Sequence, residues 1–195
     1  MLQSQYAPTP VSVLPKEISA EDVLSFWFSE KMRTTWFNST PIIDKEIIEH
    51  YLPLWKVATE GHLNDWSAEP RSCLALIIVL DQFPLNMFRG QPKSFASEAQ
   101  ALSVTRFALD RGFEKQYDSE QKLFLFLPLM HSENPVDQDM SVSLFAKSGL
   151  DTRWAEHHRD IVHRFGRFPH RNAILGRISS REELEFLNSD KAYTG

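Results

Sequence analysis

Apolar residues recur along this chain at spacings of three and four, and strict apolar–polar alternation is nearly absent. That pattern belongs to helices that bury one face rather than to half-buried strands. Eight segments carry it. "SAEDVLSFWF" opens with Ser19 as N-cap and Asp22 three residues on, close to a capping box. "TPIIDKEIIEHYLPLWKVATEG" has Thr40 as N-cap and Pro41 at the first helical position, where its missing N–H costs nothing. Its Ile43, Ile47, Tyr51 and Leu54 share one face, Pro53 predicts a kink, and Gly61 a stop. "PRSCLALIIVLDQF" is apolar on most of its surface and is expected to end at Pro84. "SEAQALSVTRFALDRG" is amphipathic, and "DSEQKLFLFLPLM" is nearly all apolar with a bend expected at Pro128. "NPVDQDMSVSLFAKSG" is capped by Asn134, "DTRWAEHHRDIVHRFG" stops at Gly166, and "SSREELEFLNSD" has Ser179 or Ser180 facing Glu182 or Glu183.

The fold class expected is therefore all-α, about eight helices packed as antiparallel pairs in a bundle or short superhelix. Residues 19–195 form one such domain, behind an extended, proline-containing leader over 1–18. "FPLNMFRG" and "FPHRNAILG" echo each other, as equivalent breaks in a helical repeat would.

Composition narrows the function. The net charge is −5, which argues against a broad nucleic-acid surface. Fourteen Phe and five Trp predict an aromatic-rich core. The longest apolar run, Cys73 to Leu80, is far too short to span a bilayer. The single cysteine sits among apolar neighbours and reads as a small buried hydrophobe, which fits a reducing, cytoplasmic setting. No metal site is expected: there is no H-E-x-x-H, no two histidines stand four apart, and His158 and His163 point to different helix faces. No cofactor is expected either, because no phosphate-binding glycine loop or dinucleotide fingerprint occurs.

The informative residues are polar ones on apolar stripes. Asp81 lies on the face of Leu74, Ile77 and Ile78 and needs a buried partner, with Arg89, Arg167 and Arg171 the candidates. Gln138 continues into Val142 and Phe145, and His158 shares a face with Trp154, Ile161, Val162 and Phe165. Each is either a satisfied core polar group or a ligand contact. Six of the twelve Arg and four of the seven His fall between Arg153 and Arg177. Glu156 stands three residues from Arg153 and Arg159, and Asp160 four from Arg164, so local pairing accounts for part of that charge. Arg167, His170, Arg171 and Arg177 are left over in "RFGRFPHRN" and just beyond it. They either cap carbonyls and pair with Asp81 or Glu133, or present a guanidinium fork to an anion. "MHSENPVDQD" is a capped turn or holds His131 and Glu133 as an acid–base pair.

"FWF", "LALIIVLDQFPLNMFRG", "FLPLMHSE" followed by Gln138 and "SVSLF", and "HRDIVHRFGRFPHRNAILGR" together resemble the bacterial family known as domain of unknown function 924, over about Val23 to Leu187. The resemblance implies a fold related to tetratricopeptide-repeat superhelices. It also implies a motif set of Asp81, Gln82, Phe83, Pro84, Asn86, Arg89, His131, Glu133, Gln138, His158, Arg167, His170, Arg171 and Asn172. Leu85 falls where the family usually has Arg, which removes one cation beside Asp81. The resemblance brings no activity with it, and repeat kinship implies binding only by analogy.

Three readings stand. In the first, Arg167, His170, Arg171 and Asn172 bind an acidic small molecule or a peptide or protein partner, oriented by Asp81 and Gln138. In the second, an enzyme uses His131, Glu133 or His158 for proton transfer in the same cavity. In the third, the polar set is an internal clasp. On the first two, Arg167 and Arg171 line one cavity with His131 and Glu133.

Overall fold

The computed structural model describes residues 18–190 and 192. The leader expected over 1–18 lies, apart from Ile18, outside them. Nine α-helices and no strand occur among the described residues: α1 (Ala20–Trp27), α2 (Glu30–Arg33), α3 (Pro41–Thr59), α4 (Pro70–Met87), α5 (Glu98–Asp110), α6 (Ser119–His131), α7 (Pro135–Lys147), α8 (Arg153–Phe165) and α9 (Arg181–Leu187). Eight are the expected ones. The extra helix, α2, is a single turn capped by Ser29, too short to show a period.

The capping residues behave as their chemistry requires. Ser19 and Ser180 close full capping boxes with Asp22 and Glu183, and Thr40 and Asn134 accept from Ile43 N and Val136 N. At Gly166 the backbone turns left-handed (φ 71°), which ends α8 and sends the chain into extended geometry at Phe168 before Pro169.

Helix α4 is central, packed by α1, α3, α5 and α6, and every residue from Cys73 to Pro84 is buried. It does not end at Pro84 but continues to Met87. A proline inside a helix orphans the carbonyl four residues back, here Leu80. Ser97 Oγ donates to that carbonyl at 2.5 Å and accepts from Trp55 Nε1 at 3.0 Å, so the break is repaired from the start of α5. In α6, Pro128 frees the Phe124 carbonyl, and Thr105 Oγ1 donates to the next carbonyl along, that of Leu125. Pro53 lies on the exposed side of α3, as does Glu49, whose carbonyl it frees.

The core is aromatic-rich as expected, with Trp27 edge-on to Phe83 and Phe124. A second, small cluster of Ile161, Val162, Phe168 and Phe186, with Phe165 against it, holds the chain after α8. Trp154, expected on the inward face of α8, is 56% exposed. The two echoed Phe-Pro stretches are not equivalent breaks: one is helical through Pro84, the other opens a 3-10 turn at Pro169.

Candidate functional site

The cations expected to form one cavity divide into two groups. Arg167 and Arg177 belong to a clasp. Arg167 grips Glu183 through Nε (2.7 Å) and Nη2 (2.8 Å), and Nη2 also reaches the Ile178 carbonyl. Glu183 is 3% exposed and accepts from Ser180 N as well. The Arg167 guanidinium, with the Ser180 amide and Asn172 adding to it, holds the Glu183 carboxyl down at about 2 against the cost of burial. Arg177 forks onto Glu133 at 2.7 and 2.9 Å, and Phe168 N donates to the same carboxylate at 2.7 Å. Burial works to raise the Glu133 pKa, but these hydrogen bonds outweigh it and leave the carboxyl below its ordinary value. Asn172, 1% exposed, ties the clasp by giving Nδ2 to Ser179 and accepting from Arg177 Nε.

Two expectations fail here. Arg167 faces Glu183 rather than a cavity shared with His131. Glu133 is committed to three donors, which suits an anchor and not a proton carrier. The local pairs expected along α8 are also replaced. Arg153 pairs with Asp151, Arg159 with Asp160, and Arg164 with Glu182 of α9.

The second group lies inside. Asp81, 1% exposed, accepts from Gln82 Nε2 (2.5 Å) and from His131 Nδ1 (2.9 Å). Its partner is the last residue of α6 and not an arginine. Arg89 is taken by Asp44 of α3 and by Asn86, and Arg171 by Glu98. Periodicity puts Asp81 on a buried face but says nothing of which element faces it, and α6 supplies the ring. Burial disfavours the charged imidazole of His131, yet the Asp81 carboxylate against Nδ1 more than compensates and raises its pKa. Nε2 of His131 has no hydrogen-bond partner among the described residues, and the side chain keeps 15% of its surface exposed.

Arg171 is 6% exposed and packs against two rings, 4.5 Å from Phe95 and 4.7 Å from Phe168. Its Nη1 donates to Glu98 Oε2 at 3.0 Å. Arg171 Nε and Glu98 Oε1 are buried without a partner. Burial pushes the Glu98 carboxyl up, Arg171 and His131 opposing. Neither Glu98 nor Phe95 was expected. An acid at the first position of α5 reads from sequence as a simple complement to the helix dipole, so it carries no separate signal.

The remaining candidates support the frame. Gln138, fully buried, gives Nε2 to the Met130 and Ser132 carbonyls at the end of α6 and so fixes the backbone that carries His131. His158 takes its place under the Phe168 ring with Nδ1 against the Trp154 carbonyl, and burial lowers its pKa to about 3. His170 also packs against that ring, its pKa lowered to about 4 by burial and by Arg171. Both are neutral imidazoles at pH 7.

A cleft of about 200 Å³ opens elsewhere, beside α1 and the start of α6. Its charged side chains pair across it, Arg71 with Glu21 and Arg33 with Glu120, and none of the candidates borders it. Among the described residues no group of three or more His, Cys, Asp or Glu is placed to hold a metal ion, and no helix is long and apolar enough to cross a membrane.

No protein of curated function matches the chain. A solved structure of a protein of unknown function from Agrobacterium tumefaciens is similar at 35% identity and a TM-score of 0.82, over 87% of this chain and 96% of that one. The model of a bacterial protein family of unknown function, domain of unknown function 924, matches residues 23–191. The chain belongs to that family.

Proposed function

We propose that the protein binds a small acidic molecule at the quartet of Asp81, His131, Glu98 and Arg171, and that His131 exchanges a proton with it there. One observation carries this reading. His131 is fixed at Nδ1 by a buried carboxylate while Nε2 is left without a protein partner. A carboxylate on Nδ1 sets the tautomer and ring angle and favours the imidazolium, which donates from Nε2 to an anion. The same arrangement suits general acid–base chemistry, since an imidazole held at one nitrogen by a carboxylate can give a proton from the other and take it back. The charge balance agrees. With Asp81 and Glu98 ionised, His131 and Arg171 cancel them, and any neutralisation of Glu98 by burial leaves one positive charge for an acid to match. The clasp of Arg167, Arg177, Glu133 and Glu183 does not bind in this reading, and it anchors the segment that delivers Arg171. A cytoplasmic setting fits the buried Cys73, whose thiol burial pushes up to about 12.

Imidazole ¹H–¹⁵N spectra of the full chain, titrated with acetate and with inorganic phosphate, test it. The His131 Nε2 resonance, assigned by its loss in His131→Gln, should move and saturate. No movement at high anion concentration removes the reading. A response to a short acidic peptide but to neither small anion replaces it with peptide binding.

A further inference from the structure

Three carboxylates lie in or beside the quartet, and they differ in what their oxygens still lack. Asp81 uses both, Oδ1 on His131 Nδ1 and Oδ2 on Gln82 Nε2. Glu133 uses both on Arg177 and Phe168 N. Glu98 uses only Oε2, on Arg171 Nη1, and its Oε1 is buried without a donor. A proton on either of the first two acids displaces a hydrogen bond. A proton on Glu98 Oε1 displaces none, and it removes a charge that burial penalises. Phe95 and Phe168 pack against the Arg171 guanidinium and hold it at Oε2 whether or not Oε1 carries a proton.

The charges that reach Glu98 come from three elements besides its own: Arg171 from the segment after α8, His131 from α6 and Asp81 from α4. Burial raises the Glu98 pKa, Arg171 and His131 lower it, and Asp81 raises it. An acid docked at His131 adds a second negative charge to that of Asp81 in this balance. With both carboxylates ionised the quartet is neutral, so an anion alone would leave a buried negative charge uncompensated. We propose that Glu98 takes up one proton from solvent on Oε1 when the acid binds, so that the site admits an anion and a proton together. This role rests on the site proposed above and makes Glu98 its second proton-carrying group, beside His131. The bound anion raises the Glu98 pKa, so affinity is highest in acid. Where each anion draws one proton, affinity falls about tenfold for each unit of rising pH.

Calorimetric titration of the full chain with acetate at pH 7, in two buffers of different ionisation enthalpy, counts the protons. The wild-type chain should take up about one proton per acetate bound. Glu98→Gln should still bind acetate and take up almost none. Infrared difference spectra with ¹³C-labelled acetate identify the acceptor without a variant, because a protonated carboxyl band of the protein should appear on binding. No proton uptake by the wild-type chain, or uptake without that band, overturns the inference and leaves the anion site standing. Undiminished uptake in a folded Glu98→Gln does the same. If acetate does not bind, the inference fails, and if inorganic phosphate also leaves His131 unmoved, the site fails with it. The wild-type spectra decide even where the variant does not fold.

Discussion

At the scale of single residues, the decisive contrast is between charges that are saturated and charges that are not. Asp81 lies inside α4 on an apolar stripe, and Glu133 in the turn between α6 and α7. Glu133 ends with three donors from one arginine and one amide, Asp81 with an imidazole whose far nitrogen is open. That burial of Asp81 required a partner was legible in its place on an apolar stripe. The identity of that partner was not, because a stripe shows which face is buried and not which helix covers it. Glu98 was illegible for another reason: its position has a sufficient local explanation in the helix dipole. Asp81→Ala should therefore lower stability by about 1.5–3 kcal/mol, the range for a hydrogen bond to a charged group. His131 can shed its proton in that variant, which keeps the loss below that of stranding a buried arginine. Chemical denaturation gives the loss, and imidazole titration should show the His131 pKa falling once the carboxylate is gone.

At the scale of elements, all eight expected helices are present, because caps and apolar spacing act locally. Helix α4 outlasts Pro84 because a long-range contact overrides the local rule: Ser97, seventeen residues later, serves the Leu80 carbonyl. Ser97→Ala should strand both that carbonyl and Trp55 Nε1 in the core and cost about 1–3 kcal/mol for each group left unpaired. A midpoint unchanged in urea denaturation contradicts the repair. The segment after Gly166 depends on a small apolar cluster and on Glu133. Few buried apolar contacts mean a low free energy of local opening. Amide hydrogen exchange should accordingly be faster from Arg167 through α9 than in α4, and Glu133→Gln should speed it further without changing α4.

For the whole molecule, acid sensitivity follows from the two histidines packed against the Phe168 ring. His158 and His170 have folded pKa values of about 3 and about 4 against an ordinary 6.5. Their contribution is complete above 6.5 and is lost as pH falls toward those folded values, since the unfolded chain takes up protons first. Glu183, held at about 2 against 4.5, adds a further loss below the ordinary glutamate range. His131 has the opposite sign: its raised pKa gives stability present in acid and lost as pH rises through its folded value. Thermal midpoints should thus begin to drop just below pH 6.5, and His158→Gln should flatten that first step. A midpoint constant from pH 7 to pH 5 contradicts the buried neutral imidazoles. The central claim, that the Asp81–His131–Glu98–Arg171 quartet holds a small acid, is tested most directly by a crystal structure of the protein grown with saturating glycolate. The account predicts the glycolate carboxylate within hydrogen-bond reach of His131 Nε2, beside the Arg171–Glu98 pair. A saturated crystal with no glycolate at His131 would contradict it.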